Sequence, residues 1–318
     1  LPDEESFYRW IEPVRDGRGA VVCAGTAFVV RRQALDQVGG FIEAALSEDY
    51  VTGIALREQG WKLRYLQQKL SAGLAAESMA DFVRQRQRWA NGTLQSLRLP
   101  QGPLQARGLS LGQRLAYLEG VVHWLNNLPR MVLMLMPLSY GLLGITPILL
   151  DQQAIIELML PLWGTVLLSI GWLNRHSRSA LLTELTSWVL TVPLVVTLIS
   201  HVLGSSMGFR VTPKHRHRSQ GGWAWFLALP LILLSLLNLA NLLGLIQQLI
   251  LHGLDELGSL QLGMVWAVLN LLGTVVALRA CWDPPQSDPS PWLSLDHPAE
   301  LTDAGGHRHP CRITAISE

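Results

Sequence analysis

The sequence predicts a membrane protein in three parts: an α/β piece over residues 1–108, a membrane domain with a bundle of four transmembrane helices over 109–282, and a linker with the start of a small β domain over 283–318. Three observations carry this. Hydrophobic residues make up 49% of the 318 and charged residues only 15%, with a positive mean hydropathy, which is too apolar for an ordinary soluble domain. The long apolar runs all follow residue 115 or so, and each approaches the ~20 residues that a bilayer requires. Basic residues gather in alternate connectors between those runs, as the positive-inside rule demands.

The first part alternates short elements. Ala20–Arg32 is β-branched and Gly-punctuated, the pattern of a buried strand with a turn. Gln33–Val38 predicts a short helix closed by Gly39-Gly40. Ser47 then precedes Glu48-Asp49 and a periodic run ending at Gly60, a helix with carboxylates at its first turn. Trp61–Leu66 alternates like a strand. Ser78–Arg98 predicts a helix that opens on Ser78 with Asp81 three residues later, a start that satisfies orphan N–H groups. On it Gln85, Arg88 and Trp89 fall at i, i+3 and i+4, so an amide, a guanidinium and an indole share one face. A guanidinium holds phosphate oxygens as a planar fork, and an indole offers a platform for the apolar face of a sugar. The competing reading of this stretch is a basic amphipathic helix lying on anionic lipid, with Arg84, Arg86 and Arg98 as further contacts.

Spans are expected at Leu128–Leu150, Ala154–Leu173, Trp223–Ile246 and Leu262–Trp282. Leu181–Leu203 is apolar enough for a fifth, but Glu184, Pro193 and His201 weaken it, and residues 181–203 are expected as a helix at the membrane face. Charge supports four. Arg107, Arg114 and Arg130 precede or open the first span, while Arg175, Arg178, Arg210, Lys214, Arg216 and Arg218 lie between the second and third; the connectors at Asp151–Gln153 and Asp255-Glu256 hold no basic residue. Four spans put every basic segment and both ends in the cytoplasm, in the inner (plasma) membrane. Cys23, Cys281 and Cys311 form no CxxC pair, so neither a disulfide framework nor a zinc site is expected. The opening LPDEESFYRW has no basic n-region and no apolar h-region, and reads as though it begins in mid-domain. The chain's end is Pro-rich, then polar, with strand character in RITAISE.

Three motifs follow one another on the cytoplasmic side: Ser47-Glu48-Asp49, Gln85–Trp89 (QRQRW) and Phe209–Lys214 (FRVTPK). Together they resemble the TED, QxxRW and FxVTxK motifs of processive family 2 glycosyltransferases of the bacterial cellulose synthase type, and GTAFVVRRQALDQVGGF resembles the family's segment before TED. The resemblance implies a GT-A-like catalytic domain cut through its carboxy-terminal portion, followed by its membrane channel. It implies that Asp49 is the general base with Glu48 as its neighbour, and that Gln85, Arg88 and Trp89 bind UDP and the acceptor glycan. Phe209, Val211, Thr212 and Lys214 would form a gating loop at 205–220. The implied reaction is transfer from UDP-glucose to a growing β-glucan with Mg²⁺ as cofactor, alongside a lipid bilayer and a periplasmic accessory subunit. Curdlan-type or mixed-linkage synthesis, or an inactive membrane scaffold or transport remnant, are the alternatives. The chain contains no DxD, so the metal carboxylates are expected upstream and this stretch is expected to be inactive alone. The tail resembles the first strands of a PilZ domain, but no RxxxR is present in the linker and Ala315-Ile316-Ser317 lacks the acid of DxS, which argues against strong cyclic-di-GMP binding. Nucleic-acid binding is not expected.

Overall fold

The computed structural model describes residues 6–68, 70, 75–148, 152–173, 180–205, 208, 221–252, 257–285, 293–303 and 305–316. A π-helical turn, Phe7–Ile11, runs into α1 (Glu12–Gly17), whose start is fixed by Pro13 in its first turn. Helix α2 (Arg32–Gln37) stops before Gly39-Gly40, and α3 (Glu48–Glu58) carries its two acids in the first turn, both as expected. The two expected strands differ. Residues 20–31 carry no regular structure and bend at 25–27, where Gly25 and Ala27 have positive φ, and 61–66 are likewise irregular; neither segment meets a ladder partner among the described residues, and a strand is completed only by hydrogen bonds to a neighbour. Ala20, Ala45, Tyr50, Val51, Ile54, Ala106, Leu109 and Tyr117 nevertheless form one buried cluster that fastens the start of the first segment to α3.

Helix α4 (Met79–Ser96) starts as its sequence implies: Ser78 Oγ accepts the Asp81 N–H at 3.0 Å. Helix α5 (Leu111–Leu125) opens with a full capping box between Ser110 and Gln113. Beyond it the described part of the expected first span, Leu128–Leu150, is built from two short helices rather than one, α6 (Asn127–Leu135) and α7 (Leu138–Leu142). Pro137 causes the break, since its ring displaces the carbonyl one turn back and its nitrogen has no hydrogen to give. Two asparagines on later helices compensate. Asn270 Nδ2 donates to Met134 O at 2.9 Å, and Asn241 Oδ1 accepts the Gly141 N–H at 2.8 Å.

Gln152–Ala154 and a π-helical stretch, Ile155–Met159, lead into α8 (Leu160–Leu173). Helix α9 is Ala180–Val202. A two-residue strand β1 (Gly222–Trp223) precedes α10 (Trp225–His252); α11 (Leu257–Ala280) is followed by β2 (Trp282–Asp283), which pairs antiparallel with β1. Four stretches of the described residues are long and apolar enough to cross a membrane: Ile156–Leu173, Thr183–Val202, Trp225–Leu251 and Leu260–Ala280. Three coincide with expected spans. The fourth is the segment expected at the membrane face, and its length comes from Pro193 being accommodated inside one unbroken helix. Trp223, Trp225 and Trp282 cluster at the ribbon, with ring centroids 5.4 and 6.2 Å apart, the amphipathic aromatics typical of a membrane–water boundary. Strands β3 (Leu293–Thr302) and β4 (Arg308–Ile316) form an antiparallel hairpin that includes the RIT of the predicted strand. A hairpin is common to many β folds and does not by itself identify the domain it starts.

Candidate active site

The site is built where α3 meets α4. Both carboxylates of the SED turn are half-buried in the first turn of α3, and Asp49 Oδ1 accepts the N–H of Tyr50 at 2.7 Å. Burial, a backbone hydrogen bond and neighbouring charge act on Asp49 together. Burial pushes its pKa above the ordinary carboxylate value and prevails over the Tyr50 N–H, which lowers it; the Glu48 charge pushes the same way as burial, and the nearby Arg88 guanidinium opposes it. Arg88 and Asp49 are thus brought within electrostatic reach across two helices separated by 20 residues of connecting chain.

Two glycines that sequence reasoning did not single out shape the site. Gly92, one turn beyond Arg88, faces the SED turn so closely that a Cβ there would collide with Ser47 Oγ and Ser47 N. The contact is clasped by Gln95, whose Oε1 accepts the Leu46 N–H at 2.8 Å. A glycine in a helix interior costs about 1 kcal/mol relative to alanine, so its presence in α4 was the available signal of a close approach. Gly25 has φ +67°, and a Cβ on it would overlap Asp49 Oδ2. Gly25 therefore walls one side of the carboxylate.

On α4 itself the three predicted residues are half-buried, and the structure adds a fourth. Arg86 is buried, its guanidinium lying 4.3 Å from the Phe82 ring centre and 4.4 Å from that of Trp89, and it donates to Gln85 Oε1 at 2.8 Å. Phe82, Arg86 and Trp89 stand at i, i+4 and i+7, a spacing that places them on one stripe of the helix. Arg86 is therefore not the lipid contact of the competing reading; it braces the indole. The other edge of Trp89 packs on a cluster of Ala90, Leu94, Val121, Trp124, Leu194 and Leu198. That cluster joins α4 to α9, as do three polar contacts: Gln87 Nε2 donates to Pro193 O (3.1 Å) and Thr197 Oγ1 (3.0 Å), and Asn91 Oδ1 lies 2.9 Å from His201 Nδ1. Phe209, Val211, Thr212 and Lys214 lie outside the described residues. Among the described residues no group of three or more His, Cys, Asp or Glu is arranged to hold a metal ion.

Comparison with known proteins gives a consistent result. The chain is similar to a protein named putative cellulose synthase 2 of Komagataeibacter xylinus, with 28% identity over 96% of this chain and 20% of that protein. It is similar to the UDP-forming cellulose synthase catalytic subunit of Pseudomonas fluorescens (strain SBW25), with 29% identity over 96% of this chain and 42% of the relative. The chain thus spans between a fifth and somewhat over two-fifths of the relatives it matches. A family model described as glycosyl transferase family group 2 matches residues 11–239, which include the SED turn, the whole of α4 and the predicted loop. With well over half of its length matched by that model, the chain belongs to the glycosyl transferase family group 2.

Proposed function

We propose that this chain carries the general base and the acceptor side of an inverting, processive transferase that takes glucose from UDP-glucose and extends and exports a β-glucan. The observation that carries this reading is the docking of the Glu48-Asp49 turn onto α4 at Gly92, which places Asp49 under the influence of Arg88. The names of the relatives, cellulose synthases and in one case a UDP-forming catalytic subunit, support the substrate and the product.

In the proposed reaction Asp49 takes the proton of the acceptor hydroxyl as its oxygen bonds to the anomeric carbon of the donor. The bond from that carbon to the diphosphate breaks, and its electron pair leaves with UDP. Arg88 supplies positive charge toward the developing diphosphate, and Trp89, held by Arg86, carries the acceptor sugar. The loop bearing Phe209, Val211, Thr212 and Lys214 is proposed to close over the nucleotide. No step is assigned to Mg²⁺. The basic connectors support cytoplasmic ends in an inner membrane. For α9 we propose the membrane-face placement: its half from Pro193 to His201 bonds to Gln87 and Asn91 of a helix bearing Arg84, Arg86 and Arg88, which is poor company for a hydrocarbon interior.

The test is UDP release from UDP-glucose by membranes containing the full gene product, beside an Asp49→Asn variant. The expected result is turnover that Asp49→Asn lowers by about 100-fold or more, the scale of a lost general base. Equal turnover in the two would overturn the assignment.

A further inference from the structure

Beneath the candidate site lies a buried carboxylate that the proposed reaction does not use. Glu12 of α1 is 1% exposed. Its Oε2 accepts the Val22 N–H at 3.1 Å, while its Oε1, also buried, has no hydrogen-bond partner among the described residues. The carbonyl of the same peptide group, Val21 O, accepts the hydroxyl of buried Tyr117 on α5 at 3.3 Å. One peptide plane is therefore gripped at both ends, by a carboxylate from one helix and a phenol from another. Tyr117 is in turn held, since its own carbonyl accepts the Tyr50 hydroxyl at 2.9 Å, and Tyr50 follows Asp49 on α3. Arg15, also buried, pairs with Glu119 of α5 and so ties α1 to the helix that supplies the phenol.

The gripped peptide lies three residues before Gly25, the residue against Asp49 Oδ2. Between them is Cys23, a half-buried thiol close enough to Asp49, Glu48 and Glu12 for all three charges to raise its pKa, behind the larger effect of burial. A buried carboxylate with one oxygen unbonded is costly, and an apolar side chain of similar size would fill its place more cheaply. What the carboxylate supplies here is a fixed peptide orientation beside the base. We propose that Glu12 is a positioning residue for Asp49: with Tyr117 it orients the Val21–Val22 peptide and so holds the segment that follows, a wall ending in Gly25, against the carboxylate. This rests on the reading of Asp49 as general base, and the test is arranged so that the two fail separately.

Cys23 is a built-in reporter. In a Cys311→Ser background, with Cys281 buried as an internal control of folding, the rate of Cys23 alkylation by N-ethylmaleimide is measured for Glu12→Gln and Glu12→Leu. Both substitutions remove the charge that acts on Cys23, but only glutamine keeps an acceptor for Val22. The Leu variant is expected to label about tenfold faster than the Gln variant, through freer opening of the wall. Equal rates overturn the proposal. In UDP release, Glu12→Leu is expected to lose about tenfold in kcat with little change in KM, and Glu12→Gln to restore it. Should Glu12→Leu not fold, Tyr117→Phe removes the other grip on the same peptide, and an unchanged labelling rate there overturns the proposal equally. If Asp49→Asn is inactive while Glu12→Leu turns over like the unmodified protein, the positioning role alone is lost; if Asp49→Asn is active, the general-base reading is lost whatever Cys23 does.

Discussion

In its proposed role as base, Asp49 must be ionised yet poorly solvated. Burial raises its pKa above the ordinary carboxylate range, Glu48 adds to the shift, and Arg88 limits it. The sign follows directly. The base form is lost as pH falls through this raised value, so the acid limb of the kcat profile should lie above the pH at which an ordinary aspartate titrates. Glu48→Gln removes a repelling charge and should move that limb to lower pH, while Arg88→Met removes an attracting one and should move it higher. A pH–rate series on the three proteins checks this, and an acid limb that stays put in both variants would show that another group controls it.

Among the elements, the α3–α4 contact matters most, because it assembles the site from two segments that are remote in sequence. It depends on the absence of a side chain at Gly92. Gly92→Val adds three carbons against the hydroxyl, backbone nitrogen and Cβ of Ser47, and the last two cannot swing aside by a side-chain rotation. The SED turn must shift, and a displacement of this order should cost about 100-fold in UDP release. Gly112→Ala on α5, where a Cβ meets nothing within 4 Å, is the matched control and should leave turnover unchanged.

For the whole molecule, the question is how a half-polar catalytic piece is kept in register with apolar helices. Part of the answer is the β1–β2 ribbon, which joins the start of α10 to the end of α11 and presents buried Asp283 to the first turn of α4. Asp283 Oδ1 accepts the Met79 N–H at 3.3 Å, a carboxylate at a helix N-terminus where the macrodipole favours it. Arg84 extends the same junction, bonded to Asp81 at 3.2 Å and lying 5.2 Å from the ring centre of Phe226 on α10. Asp283→Ala should loosen this end of α4 by about 1 kcal/mol, roughly a fivefold gain in local opening, seen as faster tryptic cleavage at Arg84. Unchanged cleavage would mean that the remaining contacts hold the junction unaided.

Local chemistry is legible in the chain because it acts over a few residues. The cap of α4, the acids at the head of α3, the lengths of three apolar helices and the Gln85/Arg88/Trp89 face all follow from spacing alone. The sequence by itself therefore determined the membrane class, the order of the motifs and the residues proposed to bear the chemistry. What it did not determine depends on partners distant in the chain. Whether 20–31 and 61–66 become strands rests on neighbours that must hydrogen-bond to them. The first expected span is broken at Pro137, and the break is supported by Asn241 and Asn270, which bond backbone groups 100 and 136 residues earlier around the kink. Arg86 looks like a lipid contact until Phe82 and Trp89 close over it. Only the tertiary structure decided that Gly92 meets Ser47 and that Glu12 grips the peptide ahead of Gly25, because a steric gap and a buried hydrogen bond exist only once both sides are in place.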